Sequence, residues 1–148
     1  MSNQEQTQTQ PPPSNSLISL IVGIGASAGG LEALERLFDQ MPESTGCSFV
    51  VVQHLSPDFK SLMHELLQRF TSMSAVPVDG TVLVRPNTIY LLTPKKDMVI
   101  DGHRLISYER AAEKTLNQPI NTFFRSLASA WGERGVAVVL SGTGSDGS

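Results

Sequence analysis

Three side chains in this sequence, Ser27, His54 and Asp146, are of the types that acyl-transfer chemistry needs. A serine hydroxyl near neutral pH is a poor nucleophile. A histidine must take its proton, and a carboxylate must hold the imidazole in the right tautomer. The chain order Ser, His, Asp matches none of the three orders best known from other folds, which is allowed because a triad is defined by geometry. The tetrahedral intermediate also needs donors for its oxyanion. The backbone N–H groups of Ala28, beside the serine, and of Thr143, in Gly142-Thr143-Gly144, are candidates.

Each residue also has a plainer reading. Ser27 can cap a helix, His54 can be a hydrogen-bonded histidine at a strand end, and Asp146 can be a turn or cap residue. The elements that carry them favour chemistry. The apolar run 17–22 leads into Gly23-Ile24-Gly25-Ala26-Ser27-Ala28-Gly29-Gly30, followed by Leu31, Leu34, Leu37, Phe38 and Met41 at helical spacing. This predicts a strand over 17–24, a tight glycine-rich turn, and a helix over 31–41 that stops before Pro42. Phe49-Val50-Val51-Val52 reads as a strand covered on both faces, ending in Gln53-His54. Val136-Ala137-Val138-Val139-Leu140 reads as another buried strand, running into the glycine-rich segment that holds Asp146.

Between these lie a helix over 60–70, short strands at 76–78 and 89–92, and a hairpin. The hairpin is 98–100 and 104–106 around Asp101-Gly102. Residues 109–117 are polar and read as a loop. Pro119 suits the first turn of a third helix, which buries Ile120, Phe123, Phe124, Leu127 and Trp131 and ends at Gly132. Alternating buried strands and amphipathic helices predict an α/β fold, a doubly wound, mostly parallel sheet with helices on both faces and one antiparallel hairpin. In such sheets ligands sit beyond the carboxyl ends of the strands, and Ser27, His54 and Asp146 each follow a strand at that edge.

A phosphate cradle competes for the same turn. Gly23-Ile24-Gly25-Ala26-Ser27-Ala28 fits the short dinucleotide fingerprint G-x-G-x-x-G/A. That site also wants an acidic residue at the end of the second strand, where this chain has Gln53-His54, and no Walker lysine follows the turn. His64 and His103 read as solvated, and His64-Glu65 lacks a second histidine at helical spacing, so no metal site is expected. Lys95, Lys96, Arg104 and Arg110 make a modest basic patch, either a wet face or a contact for an acidic protein. Cys47 reads as an inert packing residue just before a strand.

The 148 residues suggest one folded domain, from residue 17 onward, behind a tail over 1–16 of Gln, Thr, Asn, Ser and Pro that cannot bury enough apolar surface to order itself. A formal net charge of -3 gives no hint of nucleic-acid binding. No run approaches the length of a membrane span, and the N-terminus lacks the pattern of a secretory signal, so the cytoplasm is the expected compartment.

Gly25-Ala26-Ser27-Ala28-Gly29-Gly30, Val52-Gln53-His54-Leu55-Ser56-Pro57 and Leu140-Ser141-Gly142-Thr143-Gly144-Ser145-Asp146-Gly147 together resemble the catalytic domain of the chemotaxis protein-glutamate methylesterases, the CheB type. The form looks closest to domains fused to a chemotaxis methyltransferase. The family's catalytic serine, histidine and aspartate fall on Ser27, His54 and Asp146. The resemblance implies hydrolysis of glutamyl methyl esters on chemoreceptors with release of methanol, sometimes deamidation of receptor glutamines, and no metal or organic cofactor. It departs from the family in three ways. Ala28 stands where many relatives have Thr. The tail stands where regulated relatives carry a receiver domain. The family domain continues past the aspartate, so a C-terminally truncated domain over 17–148 is expected. Two other readings stay open: a non-enzymatic docking module on the same fold, and a nucleotide-binding α/β domain.

Overall fold

The computed structural model describes residues 17–27, 30–53, 63–110 and 118–140. The expected tail over 1–16, residues 111–117 of the loop expected over 109–117, and the last segment, 141–148, lie outside them, whereas Glu109 ends a strand. In chain order the elements are β1 (Ile21–Ala26), α1 (Leu31–Gln40), β2 (Ser48–Gln53), a short α2 (Met63–Leu67), β3 (Ser74–Val78), β4 (Thr81–Leu83), β5 (Thr88–Leu92), β6 (Lys96–Asp101), β7 (Arg104–Glu109), α3 (Pro119–Trp131) and β8 (Gly135–Leu140). A single 3₁₀ turn, Gly132–Arg134, joins α3 to β8.

Five strands form one parallel sheet in the order β3-β5-β2-β1-β8, and β4-β7-β6 form a separate antiparallel sheet. From β1 the sheet therefore grows in two directions, through β2 and β5 on one side and to β8 on the other. The connecting helices follow suit. Ile24 and Ala26 of β1 and Phe49 and Val51 of β2 pack with Leu34 and Phe38 of α1 and with Met63 and Leu67 of α2. Phe38 and Phe49 meet edge to face at 5.5 Å. On the opposite face Ile21, Val50, Val52 and Tyr90 pack with Ile120, Phe123 and Leu127 of α3 and with Met98, Ile100 and Leu105 of the small sheet. The period-2 alternation of the strands divides the core in this way, and both faces of the central strands are buried, as their continuous apolar runs require.

Tyr90 fastens the two sheets together. Its hydroxyl accepts from the Arg85 N–H at 2.8 Å and donates to the Leu83 carbonyl at 3.3 Å. Burial pushes the phenol's pKa up, against a smaller lowering by the Arg85 hydrogen bond.

Several expectations change. The first strand is 21–26, not 17–24, so Gly23 and Gly25 lie within β1 and the turn begins only at Ser27. Their role there is close approach. A Cβ on Gly25 would lie 2.6 Å from Ile120 Cγ2, and one on Gly23 would meet Phe123, Phe124 and Leu127 at 3.1 to 3.3 Å. The hairpin belongs to a three-stranded sheet, because β4 pairs with β7. The strand at 136–140 forms, but as an edge strand: Val136 and Val139 are 37% and 45% exposed, since β1 is its only strand neighbour among the described residues. Trp131 packs on the rim of the core, half-buried, and His103 lies against it. His64 is half-buried, not fully solvated. The basic patch is partly neutralised, since Lys96 pairs with Asp79 and Arg110 with the buried Asp97. Asp79 holds the Lys96 ammonium pKa above its ordinary value.

Candidate active site

Parallel pairing aligns the carboxyl ends of three strands. Ala26 of β1 is the register partner of Gln53 of β2 and of Leu140 of β8. Ser27 is the first residue beyond this line, and His54 is by sequence the first residue beyond it on β2. β1 is also where the sheet reverses its direction of growth, with α1 leaving over one face and α3 arriving over the other. At such a switch point the two connections diverge and leave a crevice beyond the strand end.

The turn after β1 is fastened at the Ser27 carbonyl. That oxygen accepts from the Gly30 N–H at 2.8 Å and from Gln53 Nε2 at 3.1 Å. Gly30 occupies the N-cap position of α1, so the plain reading of Ser27 as the capping residue of that helix does not hold. Ser27 itself is half-buried. The first-turn N–H groups, which have no partner within the helix, and the positive end of the helix dipole lie at the start of α1, an arrangement that favours negative charge nearby. Glu32 in the first turn is turned to Arg36, 2.6 Å away and exposed.

On the α3 side, Ile120 covers Gly25 and Phe123 covers Gly23. Apolar side chains thus occupy the face where two glycines of the dinucleotide fingerprint would have to leave room, and the phosphate reading loses its physical basis. Of the residues singled out for catalysis and the oxyanion, the structure describes Ser27. Ala28, His54, Thr143 and Asp146 lie outside the described residues. Among the described residues no group of three or more His, Cys, Asp or Glu could hold a metal ion.

Sequence reasoning assigns Gln53 no part in the site. In the sequence it stands only as the wrong residue for a ribose, yet it is buried and bonded to the backbone of Ser27. A polar residue closing an otherwise continuous apolar run was the available signal.

Comparison with known proteins agrees with this architecture. The model of the CheB methylesterase family matches residues 22–148. The chain is 30% identical over 128 residues to a protein-glutamate methylesterase/protein-glutamine glutaminase of Pseudomonas putida, a match covering 86% of this chain and 35% of that protein. A relative from Methanosarcina acetivorans with the same descriptive name is 33% identical over 138 residues, covering 86% of this chain and 38% of the relative. The chain thus spans about a third of the length of the curated relatives it matches. Among solved structures, the catalytic domain of Thermotoga maritima CheB methylesterase superposes with a TM-score of 0.75 at 23% identity, covering 87% of this chain and 70% of that one, which shows a shared fold. The family match over most of its length means that this chain belongs to the CheB methylesterase family.

Proposed function

We propose that this chain carries a serine hydrolase site for glutamyl methyl esters of proteins. One observation carries the reading: Ser27 stands immediately beyond the carboxyl end of β1, at the point where the sheet reverses its growth and α1 begins. The names of the relatives, protein-glutamate methylesterase/protein-glutamine glutaminase, supply the substrate class.

In this mechanism Ser27 Oγ attacks the ester carbonyl carbon while His54 takes its proton. Asp146 holds the imidazole and stabilises its charged form. The oxyanion is met by backbone N–H groups at Ala28 and Thr143. Collapse expels methoxide, which leaves as methanol with the proton from His54. Water, deprotonated by His54, then attacks the acyl-enzyme and frees the glutamate carboxylate and Ser27. With a glutamine side chain the leaving group is ammonia. The protein substrate is a methylated chemoreceptor or receptor-like signalling protein, with a chemotaxis methyltransferase in the same pathway. The cytoplasm is the proposed compartment; among the described residues no helix is long and apolar enough to cross a membrane. No metal or organic cofactor takes part in any step.

The test is methanol release from a peptide bearing a glutamyl methyl ester. The protein carrying this domain is expected to release methanol and its Ser27→Ala variant is not. Equal release from both would end the proposal.

A further inference from the structure

Gln53 is 6% exposed, and the two ends of its carboxamide fare differently. Nε2 donates to the Ser27 carbonyl at 3.1 Å, whereas Oε1 is buried with no hydrogen-bond partner among the described residues. A buried amide oxygen without a donor costs free energy, and an apolar side chain of the same length would not incur that cost. Methionine, unbranched and equally long, would fill the space. The amide is therefore out of place as packing, and its worth must lie in the Nε2 bond.

That bond acts on a peptide unit that matters. The Ser27 carbonyl holds two donors: Gly30 N–H closes the turn locally, and Gln53 Nε2 ties the turn to the neighbouring strand. In a trans peptide the C=O and the following N–H point in opposite directions. Fixing this carbonyl from the β2 side therefore restrains the plane of the Ser27 peptide unit. We propose that Gln53 is a positioning residue: by holding the Ser27 carbonyl it orients the Ser27 peptide unit, and with it the N–H assigned to the oxyanion. The inference rests on the hydrolase reading above.

Such a group works on the transition state more than on substrate binding, so its loss lowers kcat and leaves KM almost unchanged. In the 148-residue chain, Gln53→Met is expected to keep a melting temperature at or above that of wild type. Its kcat on the glutamyl methyl ester peptide is expected to fall roughly 10- to 100-fold, with KM within about threefold, below the full loss of an oxyanion donor. A kcat within about threefold of wild type in the folded variant, or a loss seen only as a higher KM, would overturn the proposal. If Gln53→Met does not fold, Gln53→Glu takes its place. It keeps the length and one oxygen but turns an acceptor toward the Ser27 carbonyl, and at least as large a loss of kcat is expected. Failure of both variants to fold would make Gln53 a structural residue and overturn the proposal.

Hydrogen exchange separates the two readings. If wild type releases no methanol, the hydrolase reading fails, while the hold on the turn is still measured at the Gly30 amide. Exchange there at least about tenfold faster in Gln53→Met supports the clamp, and unchanged exchange overturns it.

Discussion

The two ends of β1 and β2 lie in the same sheet but are built to different ends. At the amino ends the loops are bonded to one another. Ser19 N–H donates to the Gly46 carbonyl at 2.9 Å, Asn87 N–H to Cys47 at 2.7 Å, and Gly46 N–H to Asn87 Oδ1 at 2.8 Å. Arg134 reaches back to the carbonyls of Ile18 and Ser19 and stacks its guanidinium 4.8 Å from the centre of the Trp131 ring. Trp131 Nε1 donates to the Gly102 carbonyl at 2.7 Å, so the hairpin turn joins the same fastening. A hollow of about 150 Å³ lies there, lined by Gly102, His103, Ala130, Trp131 and Arg134. The indole N–H and the guanidinium beside it are already bonded within the chain. At the carboxyl ends, by contrast, lie Ser27, the buried Gln53 amide, whose oxygen has no hydrogen-bond partner among the described residues, and the start of α1. One end ties the loops down, and the other carries the serine proposed above as the nucleophile. Mutations at the two ends should therefore separate stability from activity.

The largest effect is expected at the reactive end. Ser27→Ala should lower kcat by roughly 10⁴- to 10⁶-fold, as triad serines do, while the melting temperature changes little. Ester-hydrolysis kinetics alongside thermal unfolding would check it. At the fastened end the order reverses. Asn87 has φ 57° and also supplies the acceptor for Gly46 N–H. Asn87→Ala should cost about 2 kcal/mol by denaturant titration, and Asn87→Gly less, because glycine tolerates the left-handed backbone. Neither should alter kcat of the folded protein. Arg134→Ala comes next, at about 1 kcal/mol, because its stacking and carbonyl bonds are near solvent. His103 touches only the edge of this arrangement, with its ring 5.2 Å from that of Trp131. His103→Ala should change stability by less than about 0.5 kcal/mol and leave ester hydrolysis intact. A His103 variant that lost activity would break the division between the two ends.

The contrast also shows what a sequence can carry. The strand–turn–helix around Ser27 was legible because apolar periodicity and glycine spacing are local signals. The exact role of those glycines was not. A glycine that makes a turn and a glycine that admits a helix look alike, and what distinguishes Gly25 is Ile120, far along the chain. β4 escaped notice because three residues show too little periodicity, and its partner β7 is remote in sequence. The strand at 136–140 read as buried because an apolar run does not reveal how many neighbours a strand has. Gln53 lay in plain view as the last residue of an apolar run, but its meaning depended on the Ser27 carbonyl, which only the parallel register of β1 and β2 brings to it.

The central claim is that Ser27 is the nucleophile. A fluorophosphonate probe, followed by proteolysis and mass spectrometry, tests it most directly, because the probe bonds only to an activated serine. The account predicts one label on the folded chain, on Ser27, lost in Ser27→Ala and after denaturation. Labelling of another serine with Ser27 unmodified, or no labelling of the folded chain, would contradict it.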